Sequence, residues 1–271
     1  RAEDFESYEK LYKFQAMDAF LGRLMKKSSK QEASDELKEI ENQHITAVLS
    51  PIHHELELPF SLMVSQWLSE ERKVLFVDLE PMSILPQLIQ QEETKDLLDF
   101  LYQLESQKQE QLQKDISSEQ KKQMQQQLLS EYIFYYQGIS YLAPSQNALD
   151  FSDVTKEQWL YLWKVIAQSS YEEIVVLYDG FMPGCEKLWM ESSEMILLGR
   201  EGDYYQKSMY QYQKLLEQMK MQSQIDQISL PMSAAALMDG TYQMEELYLG
   251  NLGRFVEDYM IRRQKVARAG G

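Results

Sequence analysis

The chain has 271 residues, and its 43 acidic side chains outnumber the 27 basic ones, for a formal net charge of −16. That balance excludes a general nucleic-acid binder, which needs clustered Lys and Arg to neutralise phosphates. A content of 44% hydrophobic residues excludes global disorder and is enough for a sizeable core.

Apolar stretches such as residues 74–77 and 174–178 are far shorter than the ~20 residues of a bilayer-spanning helix. The lone cysteine, Cys185, has no internal disulfide partner, which fits a reducing compartment. Residues 1–10 are charged and no apolar core follows them, unlike a secretory signal. The expectation is a soluble, cytoplasmic chain.

In chain order, residues 8–27 predict an amphipathic helix, with Leu11, Phe14, Leu21 and Leu24 at helical spacing. Residues 28–43 are polar and predict a linker. Because the chain does not open on Met, residues 1–43 are expected to be the last helix of an upstream domain plus its linker, with residues 44–271 forming the main domain. Residues 45–49 (ITAVL) predict a buried strand. A loop at 50–59 leads into a helix carrying Phe60, Leu62, Met63, Val64, Trp67 and Leu68. Residues 74–77 (VLFV) predict a second strand ending at Asp78, so that a βαβ unit spans about 35 residues.

The Gln- and Lys-rich tract 103–127 predicts an exposed helix or helix pair, since good helix formers dominate it and apolar heptads are not sustained. Strands are expected at 132–136, 139–143, 174–178, 195–198 and 228–230. Helices are expected at 155–168, capped by Thr155, and at 186–192, 208–221 and 251–263. This alternation predicts an α/β fold: a doubly wound, mostly parallel sheet with helices on both faces.

In such a sheet ligands sit at the carboxyl ends of the strands, which selects the loops 50–59, 78–86 and 179–184. The first reads SPIHHELELP. A phosphate-binding loop needs glycines, inward amides and a lysine. This loop has no glycine and no lysine, and it carries Glu55 and Glu57. Two unit charges ~4 Å apart interact by about 4 kcal/mol at an effective dielectric near 20, and here the sign is repulsive towards phosphate.

Residues 45–81, ITAVLSPIHHELELPFSLMVSQWLSEERKVLFVDLEP, nevertheless resemble the opening of the MinD/ParA family of P-loop ATPases, in which a strand runs into S-P-K-G-G-V-G-K-T-T and a second strand ends in D-x-D. On that resemblance Ser50 and Pro51 match. Ile52 replaces the signature lysine, and His53, His54 and Leu56 stand at glycine positions. Glu57 takes the place of the phosphate lysine and Leu58 that of the magnesium-binding hydroxyl. Asp78 is kept, and Glu80 stands for the second Asp. In the third motif, YEEIVVLYDG, Leu177 aligns with the metal-coordinating Asp and Asp179 is displaced by two.

The segments LYKFQAMDAFLGRLMKK, FYYQGISYLAP, TKEQWLYLWKVIAQSSYEEIVVLYDG, ISLPM and ELYLGNLGRFVEDYM are similar, in this order, to the TadZ/CpaE type of pilus-assembly protein in its Gram-positive version. The resemblance implies a receiver-like upstream domain, protein partners in a pilus or secretion apparatus, recruitment to a membrane-associated complex and a homodimer through the former nucleotide face. With the phosphate loop degenerate, the expectation is a pseudo-ATPase scaffold or localisation factor with no cofactor and no catalytic residue. The competing expectation is an ATPase whose divergent site holds magnesium with Asp78, Glu80 and Asp179. Lys73, the nearest basic residue in sequence, precedes the second strand and is expected at the opposite end of the sheet.

His44, His53 and His54 fall within eleven positions and adjoin Glu55 and Glu57, ligand types that a metal accepts. Their spacing matches no helical H-E-x-x-H, and the expectation is that no metal binds. If the former nucleotide face is a dimer interface, His53, His54, Glu55 and Glu57 belong at it and association should depend on pH. Asp78 reads as a base, a ligand or a cap of the next turn. Cys185 reads as a structural thiol, and residues 204–212, dense in tyrosine, as a partner-facing helix.

Overall fold

A computed structural model describes residues 43–112, 116–219, 221 and 224–270. The expected helix at 8–27 lies outside the described residues, as does the linker apart from Gln43.

Seven strands form one sheet: β1 (His44–Leu49), β2 (Val74–Leu79), β3 (Ile133–Tyr136), β4 (Ile139–Leu142), β5 (Glu173–Tyr178), β6 (Glu194–Gly199) and β7 (Gln224–Ser229), in the spatial order β3-β4-β2-β5-β1-β6-β7. All neighbours are parallel except β3 and β4. These two form a hairpin whose Gln137 and Gly138 have φ of 41° and 91°, the paired positive values of a tight two-residue turn. The central strands read as continuous apolar runs because both of their faces are covered.

The helices are α1 (Glu57–Ser69), α2 (Leu85–Ile89), α3 (Leu97–Leu112), α4 (Ser118–Ser130), α5 (Ala148–Asp153), α6 (Lys156–Ala167), α7 (Cys185–Glu191), α8 (Asp203–Gln218), α9 (Met244–Leu249) and α10 (Asn251–Gly270). On one face α1 packs with α9 and α10, so that Phe60, Leu62, Val256 and Tyr259 meet Val48, Phe76, Val175 and Ile196. The rings of Phe60 and Tyr259 are 5.9 Å apart. Side chains alternate along a strand, so Tyr178 points to the other face, where its ring meets that of Trp189 on α7 edge-on. Gly199 is packed by Met209 of α8 at a spacing that leaves little room for a Cβ. Burying a large apolar side chain contributes about 1.5–3 kcal/mol, and this two-sided packing holds the sheet.

The Gln-rich tract folds as the helix pair α3 and α4, packed on each other and on α6. Leu97, Phe100, Leu104 and Leu129 supply the buried stripe. Ser117 and Gln120 close a capping box at the start of α4, as do Thr155 and Gln158 at the start of α6.

Several boundaries differ from the sequence reading: α1 begins at Glu57, inside the expected loop 50–59, and α3 at Leu97, six residues before the Gln-rich tract. β7 begins at Gln224 instead of 228, because an edge strand tolerates polar residues such as Gln224, Asp226 and Gln227 while its backbone pairs with β6. α8 begins at Asp203, five residues early, where Asp203 and Lys207 pair across one turn. α10 runs on to Gly270.

Candidate functional site at the carboxyl ends of the central strands

β2, β5 and β1 are adjacent, so the loops that follow them converge at one end of the sheet. Asp78 lies in register with Leu177 of β5, and both point towards the α1 face along with Phe76 and Val175. Leu177 is fully buried in the core. Asp179, two residues further on, falls on the same face about 6.6 Å nearer the loops, and there it meets His53, with Nδ1 and Oδ1 2.8 Å apart. The three loops selected from sequence therefore form one site.

The loop between β1 and α1 is closed on itself. The His53 amide donates to the Ser50 carbonyl at 3.1 Å, the His54 amide to Ser50 Oγ at 2.9 Å, the Leu56 amide to His54 Nδ1 at 3.1 Å and the Glu57 amide to the His54 carbonyl at 2.9 Å. Ser50 Oγ in turn donates to the Leu198 carbonyl at 3.2 Å, tying the loop to β6. His53 takes a φ of 49°, a left-handed conformation that costs a non-glycine residue strain. Pro59 sits in the first turn of α1, where its missing N–H is not needed.

Four carboxyl groups surround the end of α1: Glu57, Asp78, Glu80 and Asp179. Glu57 is 7% exposed and Asp78 1% exposed. Burial drives the pKa values of Glu57, Asp78 and Glu80 upward, and mutual repulsion within the group adds to it. Glu57 and Glu80 lie within hydrogen-bonding reach of each other. With both ionised, Oε2 of Glu57 is buried without a donor; a proton held by Glu80 gives the pair one. Asp78 is engaged on both oxygens, accepting from the Glu80 amide at 2.9 Å and from the Ser83 hydroxyl. It thus caps the turn after β2, one of the roles read for it from sequence.

His54 and Glu55 have different surroundings. His54 is buried, and desolvation, helped by the nearby Arg200 cation, lowers its pKa to about 4. It is neutral at physiological pH, which removes it from the expected pH-dependent association. Glu55 pairs with Arg200, whose guanidinium also lies over the Tyr205 ring, and the Tyr242 hydroxyl donates to the Glu55 carbonyl.

His44, grouped with His53 and His54 in sequence, is at the opposite end of β1. There it bonds Glu173 at 2.9 Å, a contact that raises its pKa, and Glu173 also pairs with Arg72. Lys73 is at that far end too, at the start of β2, hydrogen-bonded through its backbone to Glu172. Cys185 is buried at the start of α7 with its thiol pushed up to about 11, as befits a structural residue. Sequence reasoning missed Ser83, Arg200 and Tyr242. Arg200 follows β6 and was reachable by the same carboxyl-end rule, whereas Tyr242 lies in an irregular segment without any signal.

No protein-family model matches the chain, and no curated protein matches it. Among solved structures it is similar to a ParA family ATPase from Chlorobium tepidum TLS, with a TM-score of 0.59 and 12% identity over 81% of this chain and 99% of that one. It is also similar to a plasmid partition protein from Borrelia burgdorferi, with a TM-score of 0.53 and 12% identity over 82% and 99%. At such identities the likeness is one of fold. The chain has the α/β, P-loop NTPase-like fold of the MinD/ParA type. Among the described residues, no helix is long and apolar enough to cross a membrane.

Proposed function

We propose that this chain is a pseudo-ATPase: a MinD/ParA-type domain that serves as a scaffold or localisation factor and not as a nucleotide-driven switch. The observation that carries the reading is the state of the first loop. The amides of His53, His54, Leu56 and Glu57 are already bonded within it. The position that resembles the phosphate lysine is Glu57, facing three further carboxyls. A nucleotide's phosphates need free amides and cations, so the residues present do not fit ATP.

The alternative, an ATPase holding magnesium with Asp78, Glu80 and Asp179, draws support from their convergence. Against it, Asp78 has no oxygen free and Asp179 is paired with His53. Phosphoryl transfer also needs cations opposite the transferring group, and Arg200 is committed to Glu55.

The particular apparatus follows from the order of the sequence segments. The reading is a TadZ/CpaE-type factor for a bacterial pilus or secretion system, cytoplasmic and recruited to a membrane-associated complex, with residues 1–43 ending a receiver-like domain. Its partners are proteins of that machine, and a second copy docks through the former nucleotide face.

A thermal-shift series with ATP, ADP and GTP, each with and without magnesium, tests the core of the proposal. A ligand at 100 times its Kd stabilises by about 2.7 kcal/mol. The expected result is no shift at millimolar nucleotide. A magnesium-dependent shift with ATP reverses the assignment and makes Asp78 and Asp179 the first residues to mutate.

A further inference from the structure

The residues that displace the phosphate-binding chemistry bring a different donor set together. His53, Glu57 and Asp179 each offer one ligand atom, and these atoms all lie within 4.8 Å of one another. They come from three places in the chain: the loop after β1, the first residue of α1 and the loop after β5. The His53 side chain is 66% exposed and that of Asp179 39% exposed, so the group opens to solvent, while the buried Glu57 forms its floor. Oε2 of that floor residue has no donor, although its residue is more than nine-tenths buried. A buried carboxylate oxygen without a donor is costly; in the metal-free protein the proton held by Glu80 offsets that cost, and a bound cation offsets it in the proton's place. Among the described residues, no Lys or Arg is ion-paired with Glu57, Asp78, Glu80 or Asp179.

We propose that this pocket binds a divalent transition-metal ion of the zinc class through a ring nitrogen of His53 and one carboxylate oxygen each of Asp179 and Glu57. One imidazole and two carboxylates suit zinc better than magnesium, which prefers an all-oxygen octahedral shell. A tetrahedral site with ~2.0 Å bonds separates its ligand atoms by about 3.3 Å. His53 and Asp179 therefore open slightly from their 2.8 Å contact, and the Glu57 oxygen closes towards them. Three protein ligands leave a fourth position for water or for a side chain of a docking protein. The site requires no nucleotide, so it stands or falls separately from the pseudo-ATPase reading.

The test is a titration of tag-free, chelator-treated protein with Zn²⁺ against a chromogenic chelator, with Mn²⁺ and Mg²⁺ in parallel. The expected result is one equivalent of Zn²⁺ bound at micromolar Kd or tighter, and Mg²⁺ bound at least 100-fold more weakly. His53→Ala, Asp179→Asn and Glu57→Gln should each weaken Zn²⁺ at least tenfold, while His44→Ala at the far end of the sheet should leave it unchanged. Glu57→Gln also supplies a control for folding, because it should melt higher than the parent without metal and yet lose the zinc-induced rise. Absence of saturable Zn²⁺ binding overturns the site, as does binding that survives all three substitutions or that falls with His44→Ala.

Discussion

Glu57 holds a carboxyl in a place where its charged form is disfavoured twice, by burial and by its neighbours Asp179 and Asp78. The same is true of Asp78 and Glu80, each disfavoured in its charged form by burial and by nearby carboxylates. A group whose pKa is higher in the folded state binds more protons there than in the unfolded chain, so stability falls as pH rises above the ordinary carboxylate range near 4. His54 acts oppositely. Its pKa, lowered from 6.5 to about 4, makes it a source of stability that is present above 6.5 and lost as pH falls through that interval. Above pH 6.5 the carboxyls contribute, and His44, whose pKa its Glu173 contact raises, contributes in the same direction. The melting temperature of metal-free protein should therefore decline from pH 6.5 to 8.5, and Glu57→Gln should both raise the unfolding free energy at pH 8, by roughly 1–2 kcal/mol, and flatten the decline. Scanning calorimetry across this range decides it, and a flat parent profile means that the carboxyls are ionised in the native protein. None of this was legible in sequence. The sequence marks Glu57 as acidic in a loop, but only the meeting of α1 with β2 and β5 buries it.

Among the elements, legibility followed the pattern of apolar residues. The strands at 45–49, 74–77 and 174–178 declare themselves because both faces are covered and nearly every position is apolar, Thr46 excepted. β7 does not, because QIDQIS is an edge strand with only two apolar residues, Ile225 and Ile228, three apart and without a period of two. The short helices α2, α5 and α9 carry too few turns for a period to register. The three loops of the site were found by the carboxyl-end rule, which needs only the strands. The split of His44 from His53 follows from the strand between them: six residues of β1 span about 20 Å.

The two capping boxes offer a test at this scale. Each serves a helix of similar length, but α6 lodges Trp159 and Trp163 in the core, whereas α4 buries chiefly Leu129. Thr155→Ala should lower global stability by about 1 kcal/mol in denaturant unfolding. Ser117→Ala should chiefly speed hydrogen exchange in α4 and leave the global midpoint nearly unchanged. Equal effects on the global midpoint would show that the α3–α4 pair unfolds together with the sheet.

At the scale of the molecule, a net charge of −16 constrains any self-association. Two copies docking through the carboxyl-lined face repel one another, and salt screens that repulsion over about 10 Å at 0.1 M. The dimer fraction measured by sedimentation should therefore rise between 20 and 300 mM salt. A dimer that dissociates over this range would place the contact on a face where opposite charges meet. Exposed aromatics mark a second, less charged surface: Tyr204 and Tyr210 lie on α8, and Phe181 stacks on Tyr212.

The position of β1 between β5 and β6 has a consequence for how the chain is made. When β1 leaves the ribosome it has neither of its neighbours yet: Glu173 follows its partner His44 by 129 residues, and Glu194 follows Thr46 by 148. Until translation has passed residue 199, β1 presents at least one open edge of apolar backbone, and its loop lacks the Tyr242 tether, 187 residues beyond Glu55. Nascent chains stalled before that point should be substrates for aggregation or for chaperones, whereas chains released whole can close the centre of the sheet from both sides.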